Sequence, residues 1–199
     1  MLSLPLWGRL GIASRLIAVQ AGVSFLADIA AYYCMSTWNS NNEFIYNLYM
    51  LFEFILISGA IYYSINHITI KKIIKFLLIA FPIVVLLSYI KLEFTRLNHL
   101  ALVINFILLS VFNLIYLVFP DYRDPKSVQP MLWVSIGHVV YFLGVTPYFT
   151  GREFIIENWP EMADTLFDYI NNMLAVLRYL LIALGFALLY FRNEKPIRA

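Results

Sequence analysis

The chain holds a single cysteine, Cys34, in 199 residues, which excludes an internal disulfide and a thiolate zinc site and leaves the redox compartment unread. Charge is almost as scarce. Only 13% of residues are charged while 62% are hydrophobic and 17% aromatic, with a mean hydropathy of +0.77, so the composition fits neither a soluble domain nor a disordered chain. Also missing are a Gly-rich phosphate loop, an H-E-x-x-H zinc motif, a G-x-S-x-G nucleophile turn, and a lysine in the last apolar stretch that could hold a retinal Schiff base. These absences weigh against enzyme and photoreceptor readings. No fixed-period repeat is present, and the chain does not divide into two similar halves with paired broken helices, which weakens a transporter reading. The formal charge of +2 and pI near 8.6 do not indicate a nucleic-acid partner, because the basic residues are scattered at segment ends and form no stripe.

What the chain does have is six apolar stretches, each long enough to cross a bilayer. A hydrocarbon core of about 30 Å needs about 20 helical residues per crossing, and the candidate spans are Arg15 to Met35, Phe44 to Ile65, Lys72 to Ile90, Leu97 to Phe119, Pro130 to Phe149 and Leu166 to Phe191. Six crossings use most of the chain, so a single integral membrane domain over 1–199 is expected, with no soluble domain beside it. The breaks carry punctuation: Asn39 to Asn42, Asn66-His67, Lys91 to Arg96, Pro120 to Pro125, and Thr150 to Asp164. Pro82 falls inside the third span, where a kink is expected. Arg9 and Arg15 before an apolar run imitate a signal peptide. The run lacks a small-residue cleavage site, however, and reads as an uncleaved first span.

Basic residues set the orientation. Arg9, Arg15, Lys71, Lys72, Lys75, Arg123, Lys126, Arg192, Lys195 and Arg198 fall on one side, and Lys91, Arg96 and Arg152 on the other. The positive-inside rule then predicts both termini in the cytoplasm. Tyr32, Tyr33, Trp38, Trp133, Tyr148, Phe149 and Trp159 sit near the predicted interfaces, as belt anchors do. Between Arg152 and Asp164, Phe154, Ile155, Ile156, Trp159 and Met162 alternate with three glutamates, which suits a short amphipathic helix on the outer surface.

Ionisable residues inside the spans are the candidates for a site. Arg178 falls near the bilayer midplane, where a charge costs several kcal/mol (about 2.5–3.5 on insertion scales) unless it meets a partner or water. Asp168, Asn171, Ala175 and Arg178 follow helical spacing and share one face. Two acids reach a compatible depth: Asp28, on a polar stripe with Gln20 and Ser24, and Glu53, on a stripe with Tyr46 and Tyr49. Arg178 is expected to pair with one of them, leaving the other acid protonated or bound to a cation. His138, flanked by Ser135 and Tyr141, falls near mid-depth and is a candidate for the same cluster. His67 and His99 lie at opposite faces, so no three-histidine metal site is expected. Asn105 and Asn113 share a face of the fourth span, extended by Tyr116, and read as interhelical glue. Trp133, Gly137, Tyr141 and Gly144 form a face of the fifth span with a notch for another helix.

On Asn47-Leu48-Tyr49 ahead of Glu53, on Pro130, Trp133, Gly137 and Tyr141, and on Asn171 or Asn172 ahead of Arg178-Tyr179, the chain resembles an uncharacterised family of small bacterial multipass membrane proteins. Some of these look like membrane-embedded sensory portions of signalling proteins. The resemblance covers most of the chain from about Asp28 onward. It implies a bacterial inner (cell) membrane location, and an extra first helix in some relatives makes Leu2 to Ser14 a candidate remnant and allows a count of seven spans.

The sequence therefore predicts an all-α, six-helix membrane bundle. Its outward half would hold a polar pocket of Asp28, Glu53, His138, Asn171 and Arg178, with Tyr49, Tyr141 and Asn105 behind them. The expected role is a ligand-binding or sensory module: Arg178 holding an anionic ligand or an internal acid, Glu53 accepting hydrogen bonds or a proton, Asn171 orienting, and His138 responding to pH near neutrality. The expected partners are the lipid bilayer, a small-molecule or lipid ligand and a separate signalling protein, with no metal and no cofactor called for. The basic tail from Arg192 to Arg198 reads as a stop-transfer anchor. A small-solute or proton-coupled transporter or channel is the alternative, and an intramembrane enzyme comes third, since acid and base groups are present without a nucleophile or metal constellation.

Overall fold

Each of the six apolar segments forms a helix in the computed structural model, which describes residues 7–38, 42–90, 96–123 and 128–193. The helices are α1 (Ile12–Trp38), α2 (Glu43–Ser64), α3 (Ile68–Ser88), α4 (His99–Val118), α5 (Val128–Asn158) and α6 (Pro160–Asn193), with short 3-10 turns at Trp7–Arg9 and Pro120–Tyr122. Of the described residues, 92% are helical and none lies in a strand. Five helices, α1, α2, α4, α5 and α6, are long and apolar enough to cross a membrane. The exception is α3, whose first two turns carry Lys71, Lys72 and Lys75. The breaks at 39–41, 91–95 and 124–127 and the basic residues Lys195 and Arg198 lie outside the described residues, as do residues 2–6 of the segment from Leu2 to Ser14.

Local chemistry fixes the helix ends. The Asn98 side chain accepts from the Ala101 N–H at 3.1 Å, capping α4. At its other end, Arg123 donates through Nε to the Tyr116 carbonyl at 2.8 Å and through Nη2 to the Leu117 carbonyl at 2.5 Å, placing a cation on carbonyls that no helical N–H can reach. The Asn66 N–H donates to the Tyr122 carbonyl at 2.6 Å, so the α2–α3 and α4–α5 connections meet at one end of the bundle. At the opposite end, Asn47 staples the start of α4: its side-chain oxygen accepts from the Asn98 N–H at 3.1 Å and its amide donates to the Arg96 carbonyl at 2.8 Å.

The sequence expectation fails between Thr150 and Asp164. There is no loop across this stretch and no separate surface helix. Instead α5 runs through Pro147 and Gly151 to Asn158, and only Trp159 separates it from α6. Hydroxyls that would otherwise compete for the backbone fold back onto it: Thr146 donates to the Phe142 carbonyl and Thr150 to the Thr146 carbonyl, at 2.5 and 2.9 Å. The stop comes from Pro160, which disfavours a helical residue before it and suits the first position of the next helix.

The most extensive packing joins α5 to α6, followed by α1 with α2 and α4 with α5. Smaller contacts join α2 to α4 and α2 to α3, where Phe54 and Phe81 approach to 4.4 Å between ring centroids. The notch expected on α5 is filled by α6, with Gly137 against the Arg178 backbone and Gly144 against Leu174. By contrast, α1 and α6 scarcely pack on each other and bury the smallest shares of their apolar windows.

Candidate functional site

Arg178 sits on α6, opposite Glu53 on α2, and its Nη1 donates to Glu53 Oε1 at 3.0 Å, with both side chains 3% exposed. The same Glu53 oxygen accepts from the Tyr49 hydroxyl at 2.8 Å, and Tyr49 in turn accepts from the Gln20 amide of α1 at 3.0 Å. Arg178 Nη2 donates to the Tyr179 hydroxyl at 2.9 Å, which is hydrogen-bonded to Ser24 of α1. The guanidinium lies 4.0 Å from the Tyr141 ring centroid, and the Tyr141 hydroxyl donates to Asn171 at 2.9 Å. One network thus ties α1, α2, α5 and α6. The buried guanidinium is held by a carboxylate, a hydroxyl and an aromatic face, which together offset the cost of removing it from water.

Beside this network lies a cavity of about 570 Å³, within the usual range for small-molecule sites. Its walls come from α1, α2, α4, α5 and α6, and α3 contributes nothing. Asp28, Glu53, Asn171 and Arg178 all line it, so the structure gathers four of the five expected site residues around one space. Tyr49 and Tyr141, expected behind the site, line it directly, as does the whole Asp168, Asn171, Ala175, Arg178 face of α6. A second hollow of about 460 Å³ is lined by Thr165, Asp168, Tyr169, Asn172 and Met173, all from α6, so no other helix closes it.

Three expectations need correction. His138 does not line the cavity: it is fully buried, stacked on Phe142 at 5.6 Å, and neither ring nitrogen has a partner among the described residues. Its ring packs on Phe142 within α5 and not on the cavity wall. Asn105 and Asn113 do not join helices. Asn113 donates to Leu109 of its own helix at 2.7 Å, and the Asn105 amide is buried without a partner among the described residues. Tyr148 and Phe149 are not belt anchors, because the continuation of α5 carries them into the cavity wall. Tyr32, Tyr33 and Trp159 are exposed on the bundle surface.

The sequence reading missed the aromatic wall. Phe106, Phe149 and Phe167 form a continuous surface, with centroids 5.5 Å apart for Phe106–Phe149 and 5.7 Å for Phe149–Phe167. No polar pattern flags such residues in an apolar chain, and only the assembled helices bring them together. Among the described residues no three His, Cys, Asp or Glu converge to hold a metal ion.

Comparison of the chain with protein-family models, with curated proteins and with solved structures finds no match.

Proposed function

We propose that this is a six-span protein of the bacterial cell membrane, with both termini cytoplasmic, that binds a small molecule in an outward-facing cavity as a ligand-binding or sensory module. The observation that carries the reading is the cavity of about 570 Å³ bounded by five helices, with the Glu53–Arg178 pair fixed beside it. A fixed polar wall opposite aromatic surface is the usual make-up of a small-molecule site. The likeness to sensory membrane modules points the same way and adds a separate signalling protein as the downstream partner. In the predicted orientation, the cavity residues Asn42, Glu43 and Arg152 stand towards the outer face.

Native mass spectrometry of the purified protein tests this. A retained small molecule that disappears in Ala175→Phe, a substitution that fills the cavity, is the expected result. A protein that carries no adduct and whose unfolding temperature no small molecule shifts overturns the reading.

One observation favours transport as the second reading. Outside the cavity lining, His138 and Ser135 are buried polar groups without partners among the described residues, so polar character continues past the cavity. Solute or proton flux in liposomes that Glu53→Gln abolishes selects transport. Binding without flux selects the sensor.

A further inference from the structure

We propose that the cavity takes an organic cation with an apolar body, its ammonium or amidinium group drawn to the surplus carboxylates of the lining, Asp28 and Asp168 among them, and its hydrocarbon or aromatic portion lying along Phe106, Phe149 and Phe167. The inference deepens the binding-cavity reading and rests on it. Six charged side chains line the space: the acids Asp28, Glu43, Glu53 and Asp168 and the bases Arg152 and Arg178.

Their commitments decide which charge the cavity offers. Glu53 and Arg178 neutralise each other at 3.0 Å, and the second terminal nitrogen of Arg178 is taken by Tyr179. Glu43 accepts from the Leu97 N–H at 3.1 Å, and Arg152 Nη1 meets His99 Nε2 at 3.1 Å. Asp28 and Asp168 make no hydrogen bond among the described residues; both are exposed side chains in the cavity lining, Asp28 within electrostatic reach of Arg178 and Asp168 shared with the second hollow on α6. The uncommitted charge is therefore negative. With four acids against two bases in the lining and Arg178 already paired with Glu53, an anion would meet a surplus of carboxylates, whereas a cation would be drawn in.

The rest of the wall suits the same ligand. The Arg178 guanidinium already sits 4.0 Å from the Tyr141 ring centroid and 4.8 Å from that of Tyr179, so the aromatic faces around the cavity accommodate positive charge. The continuous surface of Phe106, Phe149 and Phe167 offers apolar area for the body of the ligand.

The test uses three near-isosteric probes, 4-phenylbutylammonium, 4-phenylbutanol and 4-phenylbutyrate, titrated by calorimetry and thermal unfolding into the protein in dodecyl maltoside, with empty micelles as the blank. The expected result is saturable binding of the ammonium compound alone, weakened at least tenfold in the Asp28→Asn, Asp168→Asn double variant and retained in Asp28→Glu. Both aspartates are exposed and neither makes a hydrogen bond among the described residues, so the unliganded unfolding temperature of these variants should stay close to that of the parent. Equal binding of the alcohol, or an ammonium affinity that ignores both aspartates, overturns the cation assignment. Preference for the carboxylate overturns it too, yet leaves a binding cavity in place. Failure of all three probes, with no retained molecule, removes both readings. Adding phosphatidylethanolamine to the micelles separates two sources of the cation: displacement of the probe assigns a lipid headgroup, and unchanged affinity assigns a free amine.

Discussion

Arg178 and Glu53 lie 125 residues apart in the chain and 3.0 Å apart in space, each 3% exposed. A buried ion pair of this kind tolerates the loss of both partners better than the loss of one, because the survivor is left charged in a low-dielectric setting. Glu53→Gln or Arg178→Met alone is expected to cost about 3–5 kcal/mol, and the double variant distinctly less than the sum. Reversible unfolding in mixed micelles measures the cycle. Additive losses would show that the two charges are not coupled.

Ser24 and Tyr179 form the hydrogen bond that spans α1 and α6, two helices that otherwise barely pack together. Within membranes such a bond contributes about 0.6 kcal/mol on average, so Ser24→Ala should change overall stability little. Its effect should be geometric, because the seam has few other contacts to hold it. With spin labels at the exposed positions Ile29 and Met173 in a Cys34→Ser background, the α1–α6 distance distribution is expected to broaden when Ser24 is replaced. An unchanged distribution would show that the seam is held by other means.

Glycines on α5 and α6 differ in what an added methyl would strike. At Gly185 a Cβ would lie 2.8 Å from the Pro130 carbonyl oxygen, and at Gly137 it would lie 3.1 Å from the Arg178 carbonyl oxygen. At Gly144 it would lie 2.5 Å from Leu174 Cδ1, the far end of a flexible side chain. Backbone cannot step aside as a leucine tip can, so Gly185→Ala and Gly137→Ala should cost about 1–3 kcal/mol and Gly144→Ala less. Thermal unfolding of the three variants ranks them. Gly137→Ala should also weaken ligand binding, because it pushes on the turn of α6 that carries Arg178.

Helix periodicity and punctuation made the helices readable, since an apolar stretch bounded by Asn, Pro or charge has few other ways to satisfy its backbone in lipid. The cost of burying Arg178 made its inward orientation readable as well. Spacing alone left its partner open between Asp28 and Glu53, since both stripes reach the right depth. In the fold it is Glu53 of α2 that meets the guanidinium at 3.0 Å, and the Tyr49 hydroxyl donates to the same carboxylate oxygen. The end of α5 was misread because Gly151 and the surrounding polar residues look like a loop. In the fold their hydroxyls bond to the helix itself, and this moved Tyr148 and Phe149 from the membrane interface into the cavity wall.

His138 provides the sharpest separation of roles. It is 0% exposed, its ring is stacked on Phe142, and neither nitrogen is partnered among the described residues. A buried polar group in that state costs about 1–3 kcal/mol relative to an apolar residue of the same shape. His138→Phe should therefore be neutral or stabilising, unlike Glu53→Gln, and should leave cavity binding intact because the imidazole does not line it. Unfolding and ligand titration on this one variant check both points. If stability rises and binding persists while liposome flux disappears, the imidazole is a transport group and not a packing residue. If stability falls by several kcal/mol, the ring nitrogens have partners that stabilise the fold, and the argument for polar character continuing past the cavity fails with them.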